Sequence, residues 1–400
     1  MTSPIDPFAE AEALLAAAQP MTDSFWRNAI GRVQQTAGQM GLDGLLVLDS
    51  LNVTYLTGFH HIPNERPLGL WVPGNGAPVL LVAHLEKENA EATWITDVRT
   101  YPEFPGEEDP LLWMLRETGA RRVGIDTLEA RKLAPLSDAV AHLVLTDIVE
   151  RQRFTKSPAE LALTRAAAAC ADIVLETVRA DGPDLLSRGG TEQDVLALGF
   201  AAANAAMKRQ LGARFGASKC AVLGTAHSGA RAALPHGKTV ARAPLPGETL
   251  IVGIGAAVGG YYAESAATFT LGGMTADQRL CLEAALRCRD AAVGALRPGA
   301  LCHEIDRAAA ASLKGDGFGS AIRHRIGHGM GGHNHEAPWL APGDTTPVAA
   351  NMVLSNEPGI YRAGVDGYRL ISTMIPQADG VEIPSQFLDR HGIDGLVLPM

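Results

Sequence analysis

Cysteine is scarce, and its spacing carries no motif. The five residues Cys170, Cys220, Cys281, Cys288 and Cys302 form no C-x-x-C pair. This argues against a disulfide framework or a thiolate zinc site and fits reduced, mostly buried intracellular thiols. Long apolar runs are also missing. The longest, Leu250 to Ala263, is broken by four glycines and is too short for a membrane span. Met1 to Trp26 carries Asp6, Glu10, Glu12 and Asp23 where a secretory leader would need basic residues. A cytoplasmic chain with no membrane partner is therefore expected. Positive charge is not in excess either: the formal net charge of −10 argues against a nucleic-acid partner held through its phosphates. Neither an internal repeat nor a low-complexity linker is evident.

What remains is an ordinary soluble composition, 46% apolar and 20% charged over 400 residues. That length exceeds what one hydrophobic core usually serves, so two domains are expected. Residues 1–24 read as a loosely structured, Ala-rich arm. Residues 25–152 alternate helix and strand. A helix is expected over about 25–41 and strands over 44–48, 68–72, 78–82 and 123–125. A turn is expected at Asp49-Ser-Leu-Asn52 and a helix over 85–92. This pattern predicts an α/β domain. Ser157-Pro158 then opens a long helix as N-cap and N1. The segment 153–400 reads as two helices, a strand, a strand pair, two helices and a closing set of strands, an α+β domain.

Three stretches concentrate histidine, carboxylate and glycine. They are Ser228-Gly-Ala-Arg-Ala-Ala-Leu-Pro-His-Gly237; Gly247 to Gly255 with Gly260-Tyr-Tyr-Ala-Glu264; and Gly327-His-Gly-Met-Gly-Gly-His-Asn-His-Glu-Ala-Pro338 running on through Ser355-Asn-Glu-Pro-Gly-Ile-Tyr361 to Gly367-Tyr-Arg369. Gly253-Ile-Gly255 is not a dinucleotide loop, because its spacing is wrong and a strand follows. Cys281 and Cys288 read as core residues on one helix face. Cys220 lacks an evident basic partner for a nucleophile's role.

In these stretches, and in Asn52-Val-Thr-Tyr-Leu-Thr-Gly58 and Asn64-Glu-Arg-Pro67, the chain resembles the creatinase/prolidase/aminopeptidase P (M24, "pita-bread") family. The resemblance covers nearly the whole chain. It implies an α/β N-terminal domain followed by an α+β pita-bread catalytic domain, and a homodimer with a shared active site. Metal-dependent members hold two divalent cations with Asp, Asp, His, Glu and Glu in that order. The matching positions here are Gly253, Glu264, His328, Glu357 and Ile371. Two ligands are gone, and neither glycine nor isoleucine offers a side-chain oxygen. The expectation is a site without the family's metals or any other cofactor, although one cation at Glu264, His328 and Glu357 stays open.

The resemblance further implies roles for individual residues. His236 would be the acid/base histidine, with Glu264, Glu357 and His328 completing the catalytic set. His335, Arg369 and Tyr262 would bind substrate, and Arg66 would reach a partner subunit's pocket to hold a substrate carboxylate. Where relatives often read Glu-Arg-Thr, this chain has Ala266-Ala267-Thr268, which counts against creatine as substrate. The expected function is metal-independent hydrolysis of a C–N bond in a small, cationic amino-acid derivative. A lyase or cyclase, a mononuclear metal-dependent Xaa-Pro peptidase and a non-catalytic peptide-binding module are the alternatives.

Overall fold

The computed structural model describes residues 6–400, which divide into two units, Met21–Arg153 and 6–20 together with Phe154–Met400. In the Met21–Arg153 unit, the strands β1 (Gly44–Val47), β2 (Gly69–Pro73), β3 (Val79–Ala83), β4 (Asp97–Tyr101), β5 (Arg122–Ile125) and β6 (His142–Leu145) form one sheet in the order β4-β3-β2-β1-β5-β6. Strand alternation feeds two cores. Leu45, Val47, Leu70 and Val72 pack with Ile30 and Val33 of the Asp23–Gln39 helix. Leu46, Trp71, Leu81 and Ile125 pack with Met114 and Leu115 of the Pro110–Thr118 helix. Apolar side chains on both faces are what a sheet covered by helices requires. The expected turn at Asp49–Asn52 is instead the start of a helix, Ser50–Thr57. Asp49 caps it by accepting a hydrogen bond from the Asn52 N–H, and Gly58 closes it at φ 72°. An Asp that caps a helix and one that starts a turn look alike in sequence.

In the other unit the Pro158–Ser187 helix begins with a full capping box, Ser157 with Glu160, and Pro158 at its first turn. Its partner is the Glu192–Leu211 helix. Residues 1–24 were expected to be a loose arm, but Pro7–Ala17 is a helix that packs on both of these. Ala11, Leu15 and Ala18 are buried, and Glu12 bonds to Arg209 and Gln210. The alanines that looked featureless in sequence are the small residues of a close helix packing.

The centre of this unit is a run of three antiparallel strands, β7 (Ala221–Ser228), β8 (Thr249–Val258) and β9 (Tyr261–Leu271), with every residue of β8 and β9 buried. Gly259 and Gly260, at φ 59° and 86°, make the β8–β9 turn. The sheet continues through β10 (Gly327–Gly329), β11 (Glu336–Leu340), β12 (Leu354–Asn356) and β15 (Ile371–Gln377) in the order β11-β10-β12-β15-β9-β8-β7. β13 (Gly359–Arg362) and β14 (Asp366–Arg369) pair separately, β16 (Gly380–Glu382) extends β15, and β17 (Val397–Leu398) pairs with β9. The helices Ala276–Ala295 and Cys302–Gly315 stand between β9 and β10 in the chain. The order of elements is the one expected from sequence. Cys281 and Cys288 are buried in the Ala276–Ala295 helix, and burial pushes their thiols up to about 11 and about 12. Among the described residues no helix is long and apolar enough to cross a membrane.

Candidate active site

Strand register decides which residues meet. On β8 and β9, Gly255 pairs with Glu264 and Gly253 with Ala266, and on the far side of β9 Ile371 pairs with Ala266. Cross-strand partners point to the same face. Gly253, Ala266 and Ile371 therefore form one row, and Glu264 lies in the next. β15 leaves the ladder there, and the Thr373 hydroxyl takes over, accepting from the Glu264 N–H at 2.9 Å and donating to the Glu264 carbonyl at 2.8 Å.

The Glu264 carboxylate is buried and bonded at both oxygens. Asn334 Nδ2 donates to Oε1 at 2.6 Å and Ser355 Oγ donates to Oε2 at 2.7 Å. Gly255 makes room for this, because a Cβ there would meet Asn334 Oδ1 at 2.8 Å. Two imidazoles complete the cluster. His328 Nε2 lies 3.6 Å and His335 Nε2 3.5 Å from Glu264, with the two rings stacked at 3.8 Å between centroids. His328 Nδ1 donates to the Gly329 carbonyl at 3.0 Å, which leaves Nε2 to face the carboxylates. Nε2 is 2.7 Å from Glu357 Oε1, yet it has no well-aligned hydrogen-bond partner.

Burial opposes charge on both members of the His328–Glu357 pair, and their attraction wins. Glu357, with help from Glu264, holds the His328 imidazolium above its ordinary range. His328, with Arg369 and His324, holds the Glu357 carboxyl well below the usual carboxylate range.

Arg369 sits where the sequence left a gap. A Cβ on Gly253 would lie 2.6 Å from its Nη2, so the guanidinium takes the space next to the missing carboxylate. Nη1 donates to the Pro235 carbonyl at 2.8 Å, beside His236, which is itself exposed. Tyr262 is buried two residues before Glu264 on the same face of β9, with the Lys219 ammonium 5.2 Å from its ring centre. Arg66 belongs to the Met21–Arg153 unit and is engaged there by Glu65 and by Glu103 at 2.7 Å. Cys220 Sγ accepts from the Gly259 N–H, and burial raises its thiol pKa, which suits a structural cysteine.

Sequence reasoning gave no role to four contributors, three of which lie inside the stretches it singled out. Asn334 and Ser355 grip Glu264, and His324 Nε2 meets the Tyr361 hydroxyl at 2.8 Å. Asn334 stands between two histidines and Ser355 two residues before Glu357, so period-two spacing was the available signal for the latter.

The donors decide how many cations fit. Two do not: the row Gly253, Ala266, Ile371 offers no side-chain oxygen, and a guanidinium lies over its first member. One does. Ligand-capable atoms of Glu264, His328 and His335 all lie within 4.8 Å of one another, and the buried, poorly partnered Nε2 of His328 is among them. Two imidazoles and one carboxylate with an open position suit a single divalent ion. The set left open by the sequence was Glu264, His328 and Glu357. In the structure His335 takes the third place, and Glu357 bears on His328.

Comparison with known proteins follows the same division of the chain. Residues 30–155 match the Creatinase/Prolidase N-terminal domain, and residues 162–378 match Metallopeptidase family M24. A probable dipeptidase PepE of Mycobacterium tuberculosis is 31% identical over 350 residues, spanning 85% of this chain and 89% of the relative. A Xaa-Pro dipeptidase of Lactobacillus delbrueckii subsp. lactis is 27% identical over 363 residues, 88% of this chain and 95% of the relative. The crystal structure of dipeptidase PepE from Mycobacterium ulcerans superposes with a TM-score of 0.81 at 28% identity, covering 91% of this chain and 96% of that one.

Proposed function

The chain belongs to metallopeptidase family M24 and is a hydrolase acting on C–N bonds, and we propose that it cleaves the peptide bond of a small peptide at a site built for one divalent cation. The observation that carries this reading is the convergence of Glu264, His328 and His335 on one point. A cation held there supplies Lewis-acid polarisation of a carbonyl and a more acidic bound water.

The chain's own residues supply the rest. Asn334 and Ser355 fix the Glu264 carboxylate, and the Gly329 carbonyl fixes the His328 tautomer. Glu357, 2.7 Å from His328 Nε2, places a second carboxylate against the same donors. His236, exposed beside the Pro235 carbonyl, carries the proton to the leaving nitrogen. Tyr262 and Arg369 line the substrate side. Arg66 reaching the pocket of a second subunit in a cytoplasmic homodimer belongs to the same proposal. Mixed Arg66→Ala and His236→Ala heterodimers would then recover part of the activity that each homodimer lacks.

A metal-independent hydrolase of a cationic amino-acid derivative is the second reading. The two lost ligands favour it, but the three converging donors and the named dipeptidase relatives give the single-cation peptidase more support. The deciding experiment is hydrolysis of a dipeptide panel, including Xaa-Pro members, by chelator-treated protein with Mn²⁺, Zn²⁺ or Co²⁺ added back. Activity restored near one equivalent supports the first reading. Turnover of amidines or amides that persists undiminished in chelator would replace it with the second.

A further inference from the structure

Arg369 is an unusual residue for an interior. It is 8% exposed, its Nε has no hydrogen-bond partner, and among the described residues no carboxylate lies in ion-pair contact with it, Glu357 being near enough only to feel its charge. Its Nη1 donates to the Pro235 carbonyl at 2.8 Å. A buried guanidinium with no carboxylate in direct contact is costly, because its Nε loses water and gains no acceptor.

Glycine at 253 creates this condition. A carboxylate side chain at that position would begin 2.6 Å from Nη2 and pair with it directly. The same row offers nothing else, since Ala266 and Ile371 are apolar. Arg369 also lies on the side of the sheet that carries Glu264, beside the segment bearing His236, so an acceptor reaching it would stand next to the reacting groups.

We propose that Arg369 is a carboxylate-binding subsite, opened by the glycine at 253, which takes a carboxylate of the substrate where other chains would place one of their own. The proposal rests on the peptidase reading only in assigning the carboxylate to the substrate. It narrows the substrate class to peptides with a free carboxylate near the scissile bond, paired bidentately with the guanidinium. Gly253→Asp supplies the carboxylate internally, and the neighbour that must move is the flexible end of Arg369 rather than backbone.

The test uses the full chain and two probes of one shape, succinate and its neutral diamide, succinamide, measured by calorimetry and thermal shift. Succinate is expected to bind and raise Tm, and succinamide is not. Succinate affinity should fall at least tenfold in Arg369→Gln and in Gly253→Asp, and by less in Arg369→Lys, which keeps the charge without the fork. Each measurement is made in chelator and again with one equivalent of Mn²⁺. Succinate binding that needs Mn²⁺ and ignores Arg369 would place the carboxylate on the metal and overturn the proposal. Equal binding by Gly253→Asp and the unaltered chain would overturn it as well, even if Arg369→Gln does not fold. Because binding is read without turnover, failure of the peptidase reading would show separately, as succinate binding intact with no dipeptide cleaved.

Discussion

Two rows of side chains cross the same sheet two residues apart, and they offer a cation opposite surroundings. In one, Glu264 keeps a carboxylate bonded at both oxygens, with a threonine hydroxyl closing the ladder beneath it. In the other, Gly253, Ala266 and Ile371 offer no side-chain oxygen, and a guanidinium lies over the glycine. On the β8 side the backbone is regular in both rows, since β8 and β9 pair there without a bulge. Fold and site chemistry are therefore separate here: the strands are intact while two of the five positions that hold metal in the family offer no side-chain oxygen.

The sharpest way to break this comparison is to change one residue in each row. Glu264→Gln keeps the shape and removes the charge, and it should lower peptide hydrolysis by about 10³-fold, in the range of a lost catalytic electrostatic or acid–base group. Ile371→Val should leave kcat/KM within about threefold and cost about 1 kcal/mol of stability. Steady-state kinetics on both variants checks the pair. Similar losses in the two would mean that the rows share the chemistry.

Next in size is the His328–Glu357 pair, studied in chelator. The His328 pKa is raised on folding, so its contribution is complete below the unfolded value of about 6.5 and is lost as pH rises through the higher folded value. The Glu357 pKa is depressed, so its contribution is present above the unfolded value of about 4.3 and is lost as pH falls through the folded one. Between those two unfolded values both groups contribute in full. Glu357→Gln should cost about 3 kcal/mol there, as expected for breaking a buried pair, and progressively less toward pH 9. Denaturant unfolding across pH reads this directly. A cost that stays flat from pH 5 to 9 would show that Glu357 does not hold the charge on His328.

The grip on Glu264 should be felt in metal affinity. Asn334→Ala and Ser355→Ala each remove one donor, and each should weaken binding of Mn²⁺ by roughly 10–100-fold in competition with a chelator. Affinities unchanged in both would mean that Glu264 is not a ligand.

The sequence showed the fold more fully than the site. Helix and strand order followed from periodicity, and Ser157-Pro158 marked the start of the long helix because capping is local chemistry. Asp49 misled for the same reason, since capping an eight-residue helix and opening a turn call for the same residue. Resemblance pointed to Glu264, His328 and Glu357 as the open cation set, and the structure groups Glu264 and His328 with His335 instead. Who stands beside Glu264 was not. Asn334 and His335 arrive on the turn between β10 and β11, which a buried Lys156–Glu336 ion pair helps to hold. Sequence spacing cannot report contacts made across such distances. Nor could it show that Arg369, two residues before the lost glutamate position, bends back over Gly253, since that depends on how β14 packs against β8.

The smallest expected change, a factor of two, tests the comparison most directly. If the second row lost its cation only because it lost its oxygens, returning them should return the ion. In Gly253→Asp/Ile371→Glu the two carboxylates would flank Ala266 in one row, and the aspartate would draw the Arg369 guanidinium into an ion pair. Metal analysis by mass spectrometry should then rise from one equivalent per chain toward two. A value that stays at one would locate the exclusion in the positive charge of Arg369, which a second cation cannot approach, and the same variant carrying Arg369→Gln should then accept it. A value of two in the unaltered chain would mean that the oxygens of the second row were never what decided the count.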